Sequence, residues 1–413
     1  MNNTALNNET PAVAGDLRFL TCGHVDDGKS TLIGRLLYEI DAVPNDQLAG
    51  AMVDGEIDYS RLTDGLEDER AQGITIDVAY RYFRHAGRHY RIADTPGHVQ
   101  YTRNMAVAAV GTDVAMILVD ASHGVREQTI RHSRICALLG VKHFVVVANK
   151  MDLVDYSQAT FNEIEAHYRK ALADVEGVSL TFIPVSAIAG DNVVSKSQAM
   201  DWYGGPTLLE YLSTKEAEPL AQNGARLPIQ SMVRLGEQRG YHGTLTGGSF
   251  KVGDKLSVAR SNEAVTIAEL YHSGKSVQEV HAGQAITVVP VEDVDISRGA
   301  VLKPADQDMP VSDALLADVI WLDNRFAEQE NIQCVVKVHH REVQAEVEVL
   351  EKASGEGNPV AKTKIFTATP LSVDAFADNQ ATGLFLVISP ETETTIGVGI
   401  ITAPDGNEWN FAI

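Results

Sequence analysis

The sequence contains few cysteines and no long hydrophobic run. Its three cysteines, Cys22, Cys136 and Cys334, lie far apart in 413 residues, and their spacing fits neither a metal site nor a disulfide framework. We interpret them as buried, reduced thiols. No apolar stretch approaches the ~20 residues that cross a bilayer, and residues 1–15 lack the basic and apolar regions of a signal peptide. We therefore expect residues 1–15 to form a flexible polar tail and the protein to be cytoplasmic.

Positive charge is also scarce. The chain has 34 Lys and Arg residues against 56 Asp and Glu residues, a formal net charge of -22. This balance argues against broad attachment to DNA or to an acidic membrane, because the phosphates of both would be repelled. We accordingly predict neither DNA nor a membrane as a partner, although a local basic patch remains compatible with the total charge.

The first half of the chain has an α/β pattern. Residues 16–213 alternate short apolar runs with helical stretches, which is typical of a domain with a mainly parallel sheet. The exception is an antiparallel hairpin predicted at 76–83 and 89–93, around the turn His85-Ala86-Gly87-Arg88. The clearest other segments are strands at 17–22, 114–119, 144–148 and 180–185 and helices at 31–40 and 128–139.

The second half changes to short β-rich runs between turns. After a linker predicted at 214–226, this pattern indicates one β-barrel over residues 227–307 and a second over residues 308–413. The predicted fold is therefore an α/β domain with a mainly parallel sheet followed by two β-barrel domains. The clearest strands of the second barrel are IQCVVKVHH, EVQAEVEVL, GLFLVISP and TTIGVGIITA.

A phosphate-binding pattern follows the first predicted strand. Residues 23–30, GHVDDGKS, fit G-x-x-x-x-G-K-[ST] and open a predicted helix, which is the context that this pattern requires. The glycines let backbone N–H groups surround phosphate oxygens, Lys29 is expected to reach the β- and γ-phosphates, and the Ser30 hydroxyl is expected to ligate Mg²⁺. The nucleotide-binding residues predicted here are Gly23, His24, Val25, Asp26, Asp27, Gly28, Lys29, Ser30 and Thr31.

Two further motifs follow later strands. In Asp94-Thr95-Pro96-Gly97, a carboxylate at a strand end can hold the water shell of Mg²⁺, and Gly97 can meet the γ-phosphate. Asn149-Lys150-Met151-Asp152 supplies an amide, an alkyl stem and a carboxylate for a guanine base. Asp152 would select guanine over adenine, because adenine offers no matching pair of donors. Ser186-Ala187 can present a backbone N–H to the base oxygen. Together these motifs predict GTP and Mg²⁺ as ligands.

The string RAQGITID at 70–77, with His98 after the Asp-Thr-Pro-Gly motif, resembles the translation-factor superfamily of GTPases that includes elongation factor Tu. The resemblance implies that Thr75 ligates Mg²⁺ and senses the γ-phosphate and that His98 orients the attacking water. Val25 and Ile74 match the apolar pair that screens this histidine. The catalytic residues are then His98, Lys29 and Thr75, and the metal residues are Ser30, Thr75 and Asp94, the last through water.

Several strings resemble a narrower family, the large GTPase subunit of bacterial ATP sulfurylase, also called sulfate adenylyltransferase subunit 1. They include HVDDGKSTLIGRLLYE at 24–39, ERAQGITIDVAYRYF at 69–83, WYGGPTLLEYL at 202–212 and DISRGAVL at 295–302. The resemblance covers about residues 16–304. It implies a smaller PP-loop partner subunit that holds ATP and sulfate and makes adenosine 5′-phosphosulfate and pyrophosphate, with GTP hydrolysis driving this uphill step. The sequence has no second P-loop pattern, so we expect no additional kinase activity.

Two alternatives stay open at this point. A translation factor that delivers aminoacyl-tRNA would share the switch and the barrels, although Asp27, WYGGPTLLEYL and the acidic charge argue against it. A GTPase of another pathway is the second alternative. His339-His340 is interpreted as a strand-end pair and not as a metal site, because no further ligand has suitable spacing.

Overall fold

The computed structural model describes residues 16–53, 55–62, 78–97, 102–216, 223–236, 238–353 and 360–404. By its internal contacts the chain separates into two compact units, Met1–Glu218 and Pro219–Ile413. The first unit contains the α/β domain, and the second contains both β-barrels, as the sequence predicts. The exact domain boundaries given above stay predictions.

The α/β domain is built on a six-stranded sheet in the order β4-β5-β1-β6-β7-β8. All neighbouring strands are parallel except β4 and β5, which form the predicted antiparallel hairpin. The strands are β1 (Leu17–Cys22), β4 (Ala79–His85), β5 (Arg88–Asp94), β6 (Val114–Asp120), β7 (His143–Asn149) and β8 (Ser179–Pro184). A small ribbon pairs β2 (Met52–Val53) with β3 (Glu56–Ile57).

Apolar faces of the surrounding helices cover this sheet. Strand β6 is buried along its whole length, which is expected of a central strand with helices on both sides. The helices are α1 (Lys29–Glu39), α2 (Asn45–Gly50), α3 (Thr102–Ala109), α4 (Glu127–Leu138), α5 (Gln158–Ala171) and α6 (Leu208–Thr214), with 3₁₀ turns at Tyr59–Leu62 and Met151–Val154. Helix α1 begins two residues earlier than predicted, directly after Gly28.

Two residues determine the type of the hairpin turn between β4 and β5. His85 pairs with Arg88, so Ala86 and Gly87 form a two-residue turn, and both have positive φ, 47° and 82°. Positive φ at both turn residues is the type I′ pattern, whose twist matches that of the flanking strands. The hairpin therefore places β5 beside β1 with Asp94 at its end.

The first barrel closes six strands into a ring. The order is β12-β17-β9-β10-β16-β13, and a pairing of β12 with β13 closes it. Its strands are β9 (Leu227–Leu235), β10 (Gln238–Thr244), β12 (Lys255–Val258), β13 (Ala264–His272), β16 (Ala285–Pro290) and β17 (Val301–Pro304). The short strands β11 (Ser249–Lys251), β14 (Lys275–Val277) and β15 (Glu279–His281) lie outside the ring.

The second barrel is also closed, in the order β18-β21-β20-β19-β22-β23. Its strands are β18 (Val311–Trp321), β19 (Asn331–Val338), β20 (Arg341–Glu351), β21 (Val360–Ser372), β22 (Leu384–Ile388) and β23 (Thr395–Pro404), with a short helix α7 (Asn324–Ala327). Strands β18 and β21 are not among the strands predicted from the sequence. β18 contains Asp and Ala residues that are uncommon in strands, and β21 contains Pro370 next to an irregularity in its pairing.

Candidate functional site

The predicted phosphate loop lies between β1 and α1. Gly28 has φ 86° and ψ 31° at the start of α1, a left-handed conformation that favours glycine. A Cβ on Gly28 would lie 2.5 Å from the Asn149 side-chain nitrogen, and one on Gly23 would lie 2.7 Å from the Leu118 carbonyl oxygen. The loop therefore needs glycine at both positions for its conformation and its close packing.

Lys29 and Asp27 hold the loop from inside. The Lys29 ammonium donates to the His24 carbonyl oxygen at 2.8 Å, and the His24 backbone N–H donates to an Asp27 carboxylate oxygen at 2.6 Å. Burial lowers the pKa of Lys29, while the charges of Asp94 and Asp27 act in the opposite direction. Burial raises the pKa of Asp27, against the effect of Lys29. An anionic ligand beside Lys29 would stabilise its charged form.

The strand end after β5 meets the beginning of α1. The carboxylate of Asp94 accepts from the Thr21 hydroxyl at 2.8 Å and from the Ser30 hydroxyl at 3.2 Å. A Cβ on Gly97 would lie 2.7 Å from the Lys29 side-chain nitrogen and 2.9 Å from the Val25 backbone nitrogen. The structure thus brings Ser30, Asp94 and Gly97 together around Lys29, as the motif order predicts.

A hydroxyl and a carboxylate at this place suit magnesium. Mg²⁺ prefers oxygen ligands and commonly takes only one or two from the protein, with the rest from phosphates and water. Ser30 and Asp94 offer such a pair next to the phosphate loop. Thr75 and His98, which the resemblance also places here, lie outside the described residues, as does Ile74. Among the described residues no group of three His, Cys, Asp or Glu side chains could hold a metal ion by itself.

The predicted base loops also come together. Asn149 is buried at the end of β7; its amide nitrogen donates to the Asp27 carbonyl oxygen at 2.9 Å, and its amide oxygen accepts from the Ala187 backbone N–H at 3.1 Å. The Ser186 hydroxyl donates to the Asp152 carboxylate at 2.5 Å. Asn149 therefore joins the phosphate loop to the loop after β8, and Ser186 orients Asp152.

Lys150 is held by a carboxylate that the sequence analysis missed. Its ammonium lies 2.8 Å from Asp120. Burial tends to raise the pKa of Asp120, but hydrogen bonds from Lys150 and Ser122 outweigh it and lower the pKa to about 2. Asp120 ends the apolar strand β6 and pairs in register with Asn149. A carboxylate ending a buried strand is the signal that singled out Asp94, and it could also have found Asp120.

Other residues around the loop also escaped the sequence analysis. Thr21 is the buried partner of Asp94, and its carbonyl oxygen also accepts a hydrogen bond from the Thr95 hydroxyl at 2.5 Å.

Arg126 lies 2.7 Å from the His24 ring, and the Gln128 amide donates to the Gly97 carbonyl oxygen. Arg126 and Gln128 come from the start of α4 and belong to no phosphate, metal or base motif, so only the fold reveals their contacts with His24 and Gly97.

Comparison with known proteins identifies the domains. The family described as the elongation factor Tu GTP binding domain matches residues 16–218, and the family described as GTP-eEF1A C-terminal domain-like matches residues 314–402. The chain therefore has a GTP-binding domain of the translation-factor type. The crystal structure of a bacterial selenocysteine-specific elongation factor is similar with a TM-score of 0.52 and 21% identity, covering 95% of this chain and 59% of that one. At this identity the likeness concerns the fold.

Full-length relatives decide the subfamily. Sulfate adenylyltransferase subunit 1 of Francisella tularensis subsp. novicida is 40% identical over 411 residues, which are 94% of this chain and 87% of the relative. The chain belongs to the sulfate adenylyltransferase subunit 1 family. The family member from Teredinibacter turnerae is 42% identical over 93% of this chain and 86% of its own length. The bifunctional enzyme NodQ of Rhizobium sp. is 41% identical, with 63% of its length covered.

The family assignment confirms the resemblance stated from the sequence and makes the chain an enzyme with a GTPase domain. It favours the sulfurylase interpretation over the translation-factor alternative. In the part of the chain that the structure describes, no helix has the length and apolar character needed to cross a membrane.

Proposed function

We propose that this protein is the GTP-hydrolysing subunit of a two-subunit ATP sulfurylase in sulfate assimilation. The observation that carries the proposal is the joining of four motifs around one site: Lys29 and Ser30 contact the loop and the Asp94 carboxylate, while Asn149 connects that loop to Ala187. The pathway is inferred from the family, and the nucleotide chemistry is inferred from these contacts between motifs.

The phosphate half of the site has assigned roles in this proposal. Backbone N–H groups of residues 23–31 surround the phosphates, and Lys29 neutralises charge that develops between the β- and γ-phosphates. Ser30 and Thr75 would ligate Mg²⁺ and Asp94 would hold it through water, and the ion would neutralise phosphate charge. His98 orients the water that attacks the γ-phosphate, giving GDP and phosphate from GTP and water.

The base half selects guanine. Asp152, oriented by Ser186, accepts from the N1–H and exocyclic amine of guanine. The Ala187 N–H, which donates to the Asn149 amide oxygen in the structure, is shared with the base oxygen when guanine binds. The aliphatic part of Lys150 covers the ring while Asp120 fixes its ammonium. Adenine is rejected because it would leave the Asp152 carboxylate without its two hydrogen-bond donors. Asn149 contributes chiefly by bracing both loops, since its amide nitrogen and oxygen already bond protein atoms.

The adenylyl transfer belongs to a partner in this proposal. The smaller PP-loop subunit binds ATP and sulfate and forms adenosine 5′-phosphosulfate with release of pyrophosphate. Contact with the partner closes Thr75 and His98 on the γ-phosphate, and GTP hydrolysis drives the unfavourable transfer. We place both subunits in the cytoplasm, and the proposal includes no DNA and no membrane.

The decisive experiment reconstitutes the two subunits. We expect the chain alone to hydrolyse GTP slowly and to release no pyrophosphate from ATP and sulfate. Adding the PP-loop subunit should accelerate GTP hydrolysis and start pyrophosphate release that depends on sulfate and on GTP. Lys29→Ala should abolish the GTP-dependent part, because the ammonium binds phosphate, whereas Lys196→Ala, on the exposed surface, should not. Equal product formation by the pair without GTP would refute the coupling.

A further inference from the structure

The second unit contains a cleft between its two barrels. The cleft has a volume of about 390 Å³, within the range of roughly 300–1,000 Å³ that is common for small-molecule sites. From the first barrel, residues 258, 260, 261 and 263 around the β12–β13 turn and residues 295–297 and 299–301 before and into β17 line the cleft. From the second barrel, residues 338, 339 and 341 at the β19–β20 turn and residues 371–372 at the end of β21 line it.

The cleft includes two sequence features that the GTPase site does not use. DISRGAVL at 295–302 is one of the strings that identified the family, and its Gly299 packs on the second barrel. With φ 84°, Gly299 leaves so little room that a Cβ would lie 2.7 Å from the Cβ of Arg341. His339 is the other feature; it lines the cleft, and burial lowers its pKa to about 4, so it is a neutral part of the wall near pH 7.

Two arginines give the cleft its charge. Arg260 and Arg341 both line it, and the charge of Arg260 adds to the effect of burial in lowering the pKa of Arg341. Arg341 donates to the Thr369 hydroxyl at 3.0 Å. Within the described residues neither arginine has a carboxylate within ion-pair distance. An anionic ligand in the cleft would reduce the repulsion between these two positive charges.

The acidic residues of the cleft do not neutralise these arginines. Asp295 lies 3.3 Å from Arg239, which does not line the cleft. Glu263 lines the cleft but forms no ion pair with either arginine among the residues described. The lining also includes Ser261, Ser297 and Ser372 and the apolar residues Val258, Val301 and Leu371.

We propose that this cleft binds an organic anion that carries a phosphate or sulfate group. Arg260 and Arg341 hold the oxyanion, since a guanidinium presents a fork of donors that matches tetrahedral oxyanions. The apolar residues of the lining contact the organic part of the ligand, a contact that an inorganic ion would not make. The site is separate from the GTP site and does not depend on the proposed sulfurylase function.

Binding of adenosine 5′-monophosphate to the full chain tests this site. The chain is first saturated with GDP and Mg²⁺, so that the phosphate loop is filled, and titrated by calorimetry at fixed ionic strength. We expect one further site. Arg341→Gln and Arg260→Gln should each weaken it by roughly tenfold or more, because each removes a charge-assisted hydrogen bond. Glu263→Gln should strengthen it by removing a nearby negative charge.

The control is Arg325→Gln, which makes the same charge change at an exposed residue paired with Asp323 and should not alter binding. Thermal melting of each variant establishes that it is folded, and GDP affinity should stay unchanged in all of them. No binding by the folded chain, an equal loss in Arg325→Gln, or equal affinity for inorganic sulfate would each overturn the proposal.

Discussion

At the scale of single residues, buried polar side chains are the parts of this protein that connect its motifs. Asn149 reaches the Asp27 carbonyl and the Ala187 N–H, and Asp94 accepts from Thr21 and Ser30. A buried polar group that loses its partner costs more than the bond itself contributes. Substitution of these residues is therefore expected to disturb two motifs at once.

Asp152 gives the sharpest residue-level test of the base site. Asp152→Asn should weaken GTP binding by roughly 10- to 150-fold, the range for hydrogen bonds to a charged group. The same variant should gain affinity for xanthosine triphosphate, whose exocyclic oxygen accepts where guanine donates. Titration of the variant with GTP and with xanthosine triphosphate measures the two affinities. Asp155→Asn, on the exposed surface, is the matched control; unchanged GTP affinity in Asp152→Asn would show that the base lies elsewhere.

His132 should make stability sensitive to acid. It is fully buried in α4, and burial, with a smaller effect of the Lys29 charge, lowers its pKa to about 3. Between about 6.5, the pKa of an unfolded histidine, and about 3, the unfolded chain binds a proton that the folded chain does not. The free energy of unfolding therefore decreases as the pH falls from about 6.5 to about 3. Above about pH 6.5 His132 is neutral in both states and no longer affects it.

We expect His132→Met to reduce this acid sensitivity. Between about pH 7 and about pH 5, wild type should lose up to about 2 kcal/mol relative to the variant, at about 1.4 kcal/mol per pH unit below the unfolded pKa. Urea unfolding of the GTP-binding unit at both values measures the difference. His167→Met replaces an exposed histidine of α5 and should leave the pH dependence unaltered. A parallel pH dependence of His132→Met and wild type would contradict the assignment.

At the scale of elements, the two barrels are joined by a buried ion pair. Arg226, just before β9, donates from Nε and Nη2 to both carboxylate oxygens of Asp374, after β21, at 3.2 and 3.1 Å. The Thr382 hydroxyl also donates to Asp374, at 2.5 Å. The side chains of the pair are only 5% and 7% exposed, so removal of one partner would leave the other charge buried.

Asp374→Ala should therefore destabilise the barrel unit by about 3–5 kcal/mol, the usual cost of breaking a buried pair from one side. Differential scanning calorimetry should show a lower melting temperature for the barrel transition, with the GTP-stabilised transition of the other unit unchanged. Asp378→Ala removes an exposed carboxylate from the same loop and should change stability little. Similar melting of both variants would mean that the buried pair contributes no net stability.

At the scale of the whole molecule, the chain carries a large excess of negative charge. Its net charge of -22 opposes the phosphate contacts on which RNA affinity depends. Similarity to a selenocysteine-specific elongation factor is thus a similarity of scaffold, on which different functions can be placed.

We predict that the GTP-bound chain does not bind aminoacyl-tRNA at micromolar concentration and physiological salt. Repulsion between the acidic surface and the RNA backbone is the physical reason. Fluorescence anisotropy of labelled aminoacyl-tRNA, with elongation factor Tu as the positive control, measures this directly. Tight binding that requires GTP and weakens steeply with salt would restore the translation-factor alternative.

Local pattern was enough to predict that the phosphate and base motifs lie close together and that an α/β domain precedes two β-barrels. Phosphate and base motifs are short and lie at strand ends, and parallel strands bring their carboxyl ends to one edge, so Lys29, Asp94 and Asn149 could be placed together from local pattern alone. The order of strands in each barrel and the partners of buried charges became known only from the tertiary structure. Arg226 and Asp374 are 148 residues apart; local periodicity carries no information about such a distant partner, because only the closed chain topology brings the two side chains together.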